Sequence, residues 1–135
     1  MPHNGSCLCG KTTIELASDH DQQIVCHCTD CRQTSGSAFS TNILVTKTDV
    51  NIQGPVKEFD IVAPSGNTVT RVFCSNCGSA ITHLTPAFGD KQAIQTGNFK
   101  DFAKIPITME LFVKDRWTGL APINGAAQVQ AMPGP

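Results

Sequence analysis

Cys74-Ser75-Asn76-Cys77-Gly78 is the stretch from which the rest of this 135-residue chain is best read. A CxxC closed by glycine has the shape of a zinc knuckle, because the glycine takes the left-handed backbone that turns nearby N–H groups toward sulfur. The same two cysteines would also serve as a redox dithiol, but no βαβ pattern surrounds them. A tetrahedral ion wants two more ligands, and the isolated pair in Cys7-Leu8-Cys9-Gly10 supplies them. Between the pairs lies Cys26-His27-Cys28-Thr29-Asp30-Cys31, so the 7 cysteines fall as a pair, a triplet and a pair. Structural zinc sites are closed by four ligands, whereas catalytic ones keep three and an open place. The grouping therefore predicts one four-sulfur site from Cys7, Cys9, Cys74 and Cys77, and a second, open site from Cys26, Cys28 and Cys31. A histidine would close the second site instead, with His27, His83, His3 and His20 as candidates; His27 is awkwardly wedged between two ligands.

Three thiolates also select a chemistry. Zn²⁺ held by three neutral imidazoles keeps its charge and acidifies water, whereas three thiolates leave a formal charge of −1 and a softer site. Such a site favours an incoming thiol, whose pKa falls on coordination. The residues thus point to thiol chemistry over hydrolysis.

The gross numbers agree with a folded, metal-binding domain. Composition is 40% hydrophobic and 16% charged, as in globular proteins. One domain over residues 1–135 is expected, burying roughly two-thirds of the unfolded-chain surface, so metal is not needed merely to rescue a tiny fold. The 10 Lys+Arg against 11 Asp+Glu are scattered singly, which argues against a nucleic-acid partner. Met1-Pro2-His3-Asn4-Gly5-Ser6 does not read as a secretory signal, and no apolar run approaches the ~20 residues that span a bilayer. A cytoplasmic address without membrane contact follows, where thiols stay reduced and ligate metal.

Periodicity is that of strands. Thr13–Leu16, Phe39–Thr46, Val56–Ile61, Thr68–Phe73, Ala80–Leu84, Lys91–Thr96 and Ile107–Val113 read as strands, rich in Ile, Val, Thr and Phe. Pro64-Ser65-Gly66-Asn67 reads as a hairpin turn and Pro86 to Asp90 as a looser one. Helical turns are expected only at Thr29–Thr34 and Asp101–Lys104, and Asn124–Pro135 as an irregular surface run. The fold class is all-β, a sandwich or tent of small sheets with cysteines at strand ends.

At this point the residues match a known family. Gly5-Ser6-Cys7-Leu8-Cys9-Gly10, Cys26-His27-Cys28-Thr29-Asp30-Cys31-Arg32 with Ser35-Gly36-Ser37-Ala38-Phe39, and Phe73-Cys74-Ser75-Asn76-Cys77-Gly78-Ser79 resemble the glutathione-dependent formaldehyde-activating enzymes, which share a domain type with centromere protein V. The likeness continues through Gln95-Thr96-Gly97-Asn98-Phe99 and Phe112-Val113-Lys114-Asp115-Arg116-Trp117, and so covers nearly the whole chain. It implies an Mss4-like β-tent of small antiparallel sheets with two zinc ions per chain. The structural ion would sit on Cys7, Cys9, Cys74 and Cys77, and the catalytic ion on Cys26, Cys28 and Cys31. The implied activity is that of a carbon–sulfur lyase joining glutathione, as co-substrate, and formaldehyde into S-hydroxymethylglutathione, or reversing that step. The family name is applied broadly, so another small thiol or aldehyde fits as well. These residues include no basic extension of the kind that would suggest a chromatin role, so none is expected.

Glutathione brings two carboxylates, which Arg32, beside the triplet, would pair with; Arg71 and Arg116 follow, though each reads more readily as an ordinary solvated surface charge. Phe39 and Trp117 read as pocket walls or core, and His27 as a proton donor behind the metal or an exposed spacer. The rival class is a non-catalytic zinc module whose surface binds a protein partner. A redox or metal-storage role for the triplet is a third reading.

Overall fold

The computed structural model describes residues 2–132, so the part of the C-terminal run at Pro133 to Pro135 lies outside the described residues. Among the described residues eleven strands and one short α-helix follow in order: β1 His3–Ser6, β2 Thr13–Leu16, β3 Gln23–Cys26, α1 Thr29–Ser35, β4 Ser40–Thr46, β5 Val50–Gln53, β6 Val56–Val62, β7 Thr68–Cys74, β8 Ala80–Leu84, β9 Lys91–Gln95, β10 Ile107–Leu111 and β11 Ala127–Gln128. The chain is mostly β, as its periodicity predicts. The helical turn expected at Asp101–Lys104 is a 3₁₀ turn, Lys100–Lys104.

Within the described residues the backbone forms two compact units, one drawn from 2–19 with 44–103 and the other from 20–43 with 104–132. In the first, β2 lies between β1 and β5, antiparallel to both. Ile14 and Leu16 are fully buried while Thr13 and Glu15 are half-exposed, the two-residue period that places one strand face in a core. Burial of each such side chain contributes about 1.5–3 kcal/mol. A second run of antiparallel strands in this unit, β9-β8-β7-β6, supplies Val72, Ile81 and Ile94 to the interior. Its outer strand β6 is largely exposed and carries Lys57, Glu58 and Asp60, charges that discourage edge-to-edge pairing. The β6–β7 hairpin closes where the sequence places it, with Gly66 N–H on the Ala63 carbonyl at 2.8 Å.

In the second unit β3 lies between β4, antiparallel, and β10, parallel, and β11 runs parallel to β10. Two pairings are therefore parallel. That arrangement needs a long connection, and residues 27–106 separate β3 from β10. Residues 127–128 also belong to a strand, so the C-terminal run is not irregular throughout. Val129 N–H donates to the Glu110 carbonyl and Val113 N–H to the Val129 carbonyl, a ladder that competes successfully with weak local propensity. Among the described residues no helix is long and apolar enough to cross a membrane.

Candidate metal centres

Four sulfurs meet in the first unit. The Sγ atoms of Cys7, Cys9, Cys74 and Cys77 all lie within 4.8 Å of one another. Cys9 Sγ stands 3.5 Å from Cys7 Sγ and 3.8 Å from Cys74 Sγ, and none of these cysteines forms a disulfide. Zinc–sulfur bonds of about 2.3 Å in a tetrahedron place sulfurs roughly 3.8 Å apart, so the quartet fits one zinc ion. The two pairs are built alike. Gly10 N–H returns to the Cys7 carbonyl at 3.1 Å and Gly78 N–H to the Cys74 carbonyl at 2.9 Å. Both glycines have φ near +80°, the left-handed conformation that the knuckle requires.

Around these turns N–H groups point at sulfur. Thr12 N–H reaches Cys7 Sγ at 3.3 Å and Asn76 N–H reaches Cys74 Sγ at 3.4 Å. The Ser79 hydroxyl lies 3.2 Å from Cys77 Sγ and also accepts from Leu8 N–H at 3.1 Å, tying one knuckle to the other. The Ser79 hydroxyl and N–H are the main cause that lowers Cys77 to about 5. Cys74 is also lowered, chiefly by its bond with Thr12. Donors aimed at sulfur favour thiolate, the form that ligates metal.

Three sulfurs meet in the second unit. Cys26, Cys28 and Cys31 lie within 4.8 Å of one another, and no histidine or carboxylate joins them at that distance among the described residues. Cys26 ends β3; Cys28 caps α1, its sulfur accepting from Cys31 N–H at 3.4 Å. Here the sulfurs mainly face each other and apolar side chains. Cys26 and Cys31 cluster with Leu111, against Ile24, Met109, Phe112 and Val129. The neighbouring Cys28 and Cys31 sulfurs, with burial, raise the Cys26 thiol well above its ordinary range. Three soft donors so close together fit one soft or borderline ion.

Behind the triplet lies a network that the sequence did not reveal. His27 is buried, not an exposed spacer, and its Nε2 pairs with Glu110 Oε1 at 2.8 Å. Glu110, 1% exposed, also accepts from Ile123 N–H at 2.8 Å, Gln128 Nε2 at 2.6 Å and Arg116 Nη2 at 3.3 Å. Burial opposes the charge on Glu110, but Gln128, Ile123, His27 and Arg116 together outweigh it and hold the carboxyl at about 2. Because the folded value is depressed, that contribution to stability is present above about 4.5 and fades as pH falls toward about 2. Arg116 also donates to Gln128 Oε1 and so faces inward.

The remaining candidates are placed as follows. Arg32, half-buried on α1, donates Nη1 to the Asp115 carbonyl at 2.8 Å and Nη2 to Thr29 Oγ1 at 3.3 Å. Phe39 meets the His27 ring edge-on at 5.7 Å between centroids, and Trp117 is 52% exposed. Arg71 belongs to β7, in the unit that holds the quartet. His3 is bound at both ring nitrogens, Nδ1 to Asp101 at 2.6 Å and Nε2 to Asp19 at 3.1 Å, and is no metal ligand. Phe112 was missed as a site residue. It takes the left-handed conformation, φ 55° and ψ 44°, which costs a non-glycine residue about 1–2 kcal/mol, and it packs against the triplet cluster.

Fold and sites together define a mostly β protein with two thiol clusters of metal-binding geometry. The profile described as "Glutathione-dependent formaldehyde-activating enzyme" matches residues 2–115. The chain belongs to that family, whose fold is Mss4-like. It is also similar to an uncharacterized lyase of Schizosaccharomyces pombe, 24% identical over 117 residues that cover 86% of this chain and 82% of the relative. A crystal structure of a Rhodobacter sphaeroides protein superposes with a TM-score of 0.58 at 17% identity, covering 78% of this chain and 99% of that one. That likeness speaks to the fold alone.

Proposed function

We propose that this protein is a zinc-dependent carbon–sulfur lyase acting on the adduct of glutathione, or another small thiol, with an aldehyde, of which S-hydroxymethylglutathione is the simplest case. The observation that carries this reading is the unequal sulfur count, four in one cluster and three in the other. Family membership and the relative named a lyase support it. Cys7, Cys9, Cys74 and Cys77 would hold a structural zinc, and Cys26, Cys28 and Cys31 a catalytic one. Zinc bound to the triplet would supply soft Lewis acidity that favours thiolate at neutral pH.

The chain's own residues bind and orient. Leu111, Phe112, Met109 and Val129 form an apolar surround for the buried Cys26 and Cys31, beside the half-buried Cys28, which strengthens electrostatic interactions there. Two of the five N–H groups of Arg32 are engaged by Asp115 and Thr29, leaving others to pair with a glutathione carboxylate. In the synthetic direction the C–S bond forms as the carbonyl π pair moves to oxygen, which takes the proton that the thiol gives up. Lyase action reverses each change. Because addition is feasible without catalysis, acceleration comes mainly from holding both reactants together. A reducing, cytoplasmic setting suits seven free cysteines.

Exchange NMR on equilibrated glutathione and formaldehyde tests this reading. The two-zinc protein should speed exchange between glutathione and its hydroxymethyl adduct, and Cys28→Ala should not. Equal exchange with and without the wild-type protein, across several thiols and aldehydes, would favour the non-catalytic zinc module instead.

A further inference from the structure

We infer that Glu110 is a positioning residue for the Cys26–Cys28–Cys31 cluster, acting through His27; the inference rests on the reading of that cluster as a metal site. Along β3 side chains alternate, and the extended backbone continues to Cys28, with φ −62° and ψ 156°. Cys26 and Cys28 therefore face one side and Val25 and His27 the other. β10 follows the same division, since Leu111 pairs with Cys26 and Glu110 with Val25. The result is a sheet with sulfur on one face and a buried ion network on the reverse.

His27 is the residue that crosses between them. It sits between two sulfur donors, its N–H bound to the Leu111 carbonyl at 3.0 Å and its ring to Glu110 at 2.8 Å. Fixing that one residue at backbone and side chain fixes the direction of both flanking Cα–Cβ bonds. Glu110 is fixed in turn by Arg116, Ile123 and Gln128, all from the segment after β10. A buried carboxylate is a costly scaffold, one that apolar residues of similar volume often replace without loss of stability. Its four donors instead make a rigid hub directly behind the sulfur loop. Partners that hold metal-site geometry from behind typically change metal affinity 10- to 100-fold when removed.

The test uses the full chain loaded with cobalt(II), whose visible bands report ligand geometry at each site. His27→Ala leaves Glu110 its three other donors and so keeps the fold. It should shift the bands of the triplet cobalt, leave those of the quartet cobalt unchanged, and release the triplet metal about tenfold faster. Glu110→Gln should do the same. His27→Gln, which returns an N–H toward Glu110, should restore most of the wild-type spectrum. Wild-type bands and release rates in His27→Ala, with two cobalt ions bound, would overturn this inference and leave the lyase reading standing. Uptake of one cobalt per wild-type chain would overturn both.

Discussion

The two thiol clusters use the same ligand and differ in almost everything else. The quartet joins residues far apart in sequence, Cys9 and Cys74 being 65 positions apart, and its sulfurs receive N–H and hydroxyl donors. The triplet is local, six residues long, and its sulfurs mainly face each other and apolar neighbours. Donors lower Cys77 and Cys74, while Cys9 of the same quartet is raised; in the triplet the neighbouring sulfurs raise Cys26. On the proposed reading, the cluster that cross-links distant segments and favours thiolate at Cys74 and Cys77 is the staple. The local cluster, with three sulfurs, is on the same reading the receptor. On that reading, surroundings, more than ligand identity, divide structural from reactive cysteine.

The largest break in this comparison should come from Cys77→Ala. Structural zinc contributes on the order of 10 kcal/mol to small zinc-dependent folds, so this variant should lose native circular dichroism and bind little metal. Cys28→Ala should remain folded, carry about half the zinc, and lack activity in the exchange assay. If it unfolds as completely as Cys77→Ala, the division of labour is wrong. A chelator added slowly to the two-zinc protein should remove the triplet metal first, seen as one rapid equivalent without loss of secondary structure. Gly78→Ala sharpens the view of the quartet. No atom would meet the new Cβ within 4 Å, so only the backbone objects, and thermal denaturation should show a loss of about 1–2 kcal/mol. Smallest of all, Arg32→Ala should leave metal content alone and raise the glutathione KM several-fold, in line with the loss of about one charge-assisted hydrogen bond.

Much of this was legible before the structure because local rules governed it. The CxxCG and CxCG turns announce their geometry through glycine, and Ala80–Leu84 follows strand propensity to the residue. Four of the described strands escaped, β1, β3, β5 and β11, and two of them carry little strand propensity of their own. His3–Ser6 contains no β-branched residue and exists through pairing with β2. Ala127–Gln128 exists through pairing with β10. Glu110 escaped for a similar reason: a lone glutamate inside Ile107–Leu111 looks like a solvent-facing residue until four donors from elsewhere close on it. Arg116 was legible as a charge near the site but not as one turned inward. Phe112 gave no signal, since nothing in its neighbours demands a left-handed phenylalanine.

The unequal division of sulfur is tested most directly by cadmium-113 NMR of the protein with both sites exchanged for cadmium, before and after glutathione is added. Two resonances are predicted, one from a four-sulfur environment that glutathione leaves in place and one from a three-sulfur environment that moves as the tripeptide's sulfur arrives. Two resonances that both report four protein sulfurs, or that both ignore glutathione, would contradict the account.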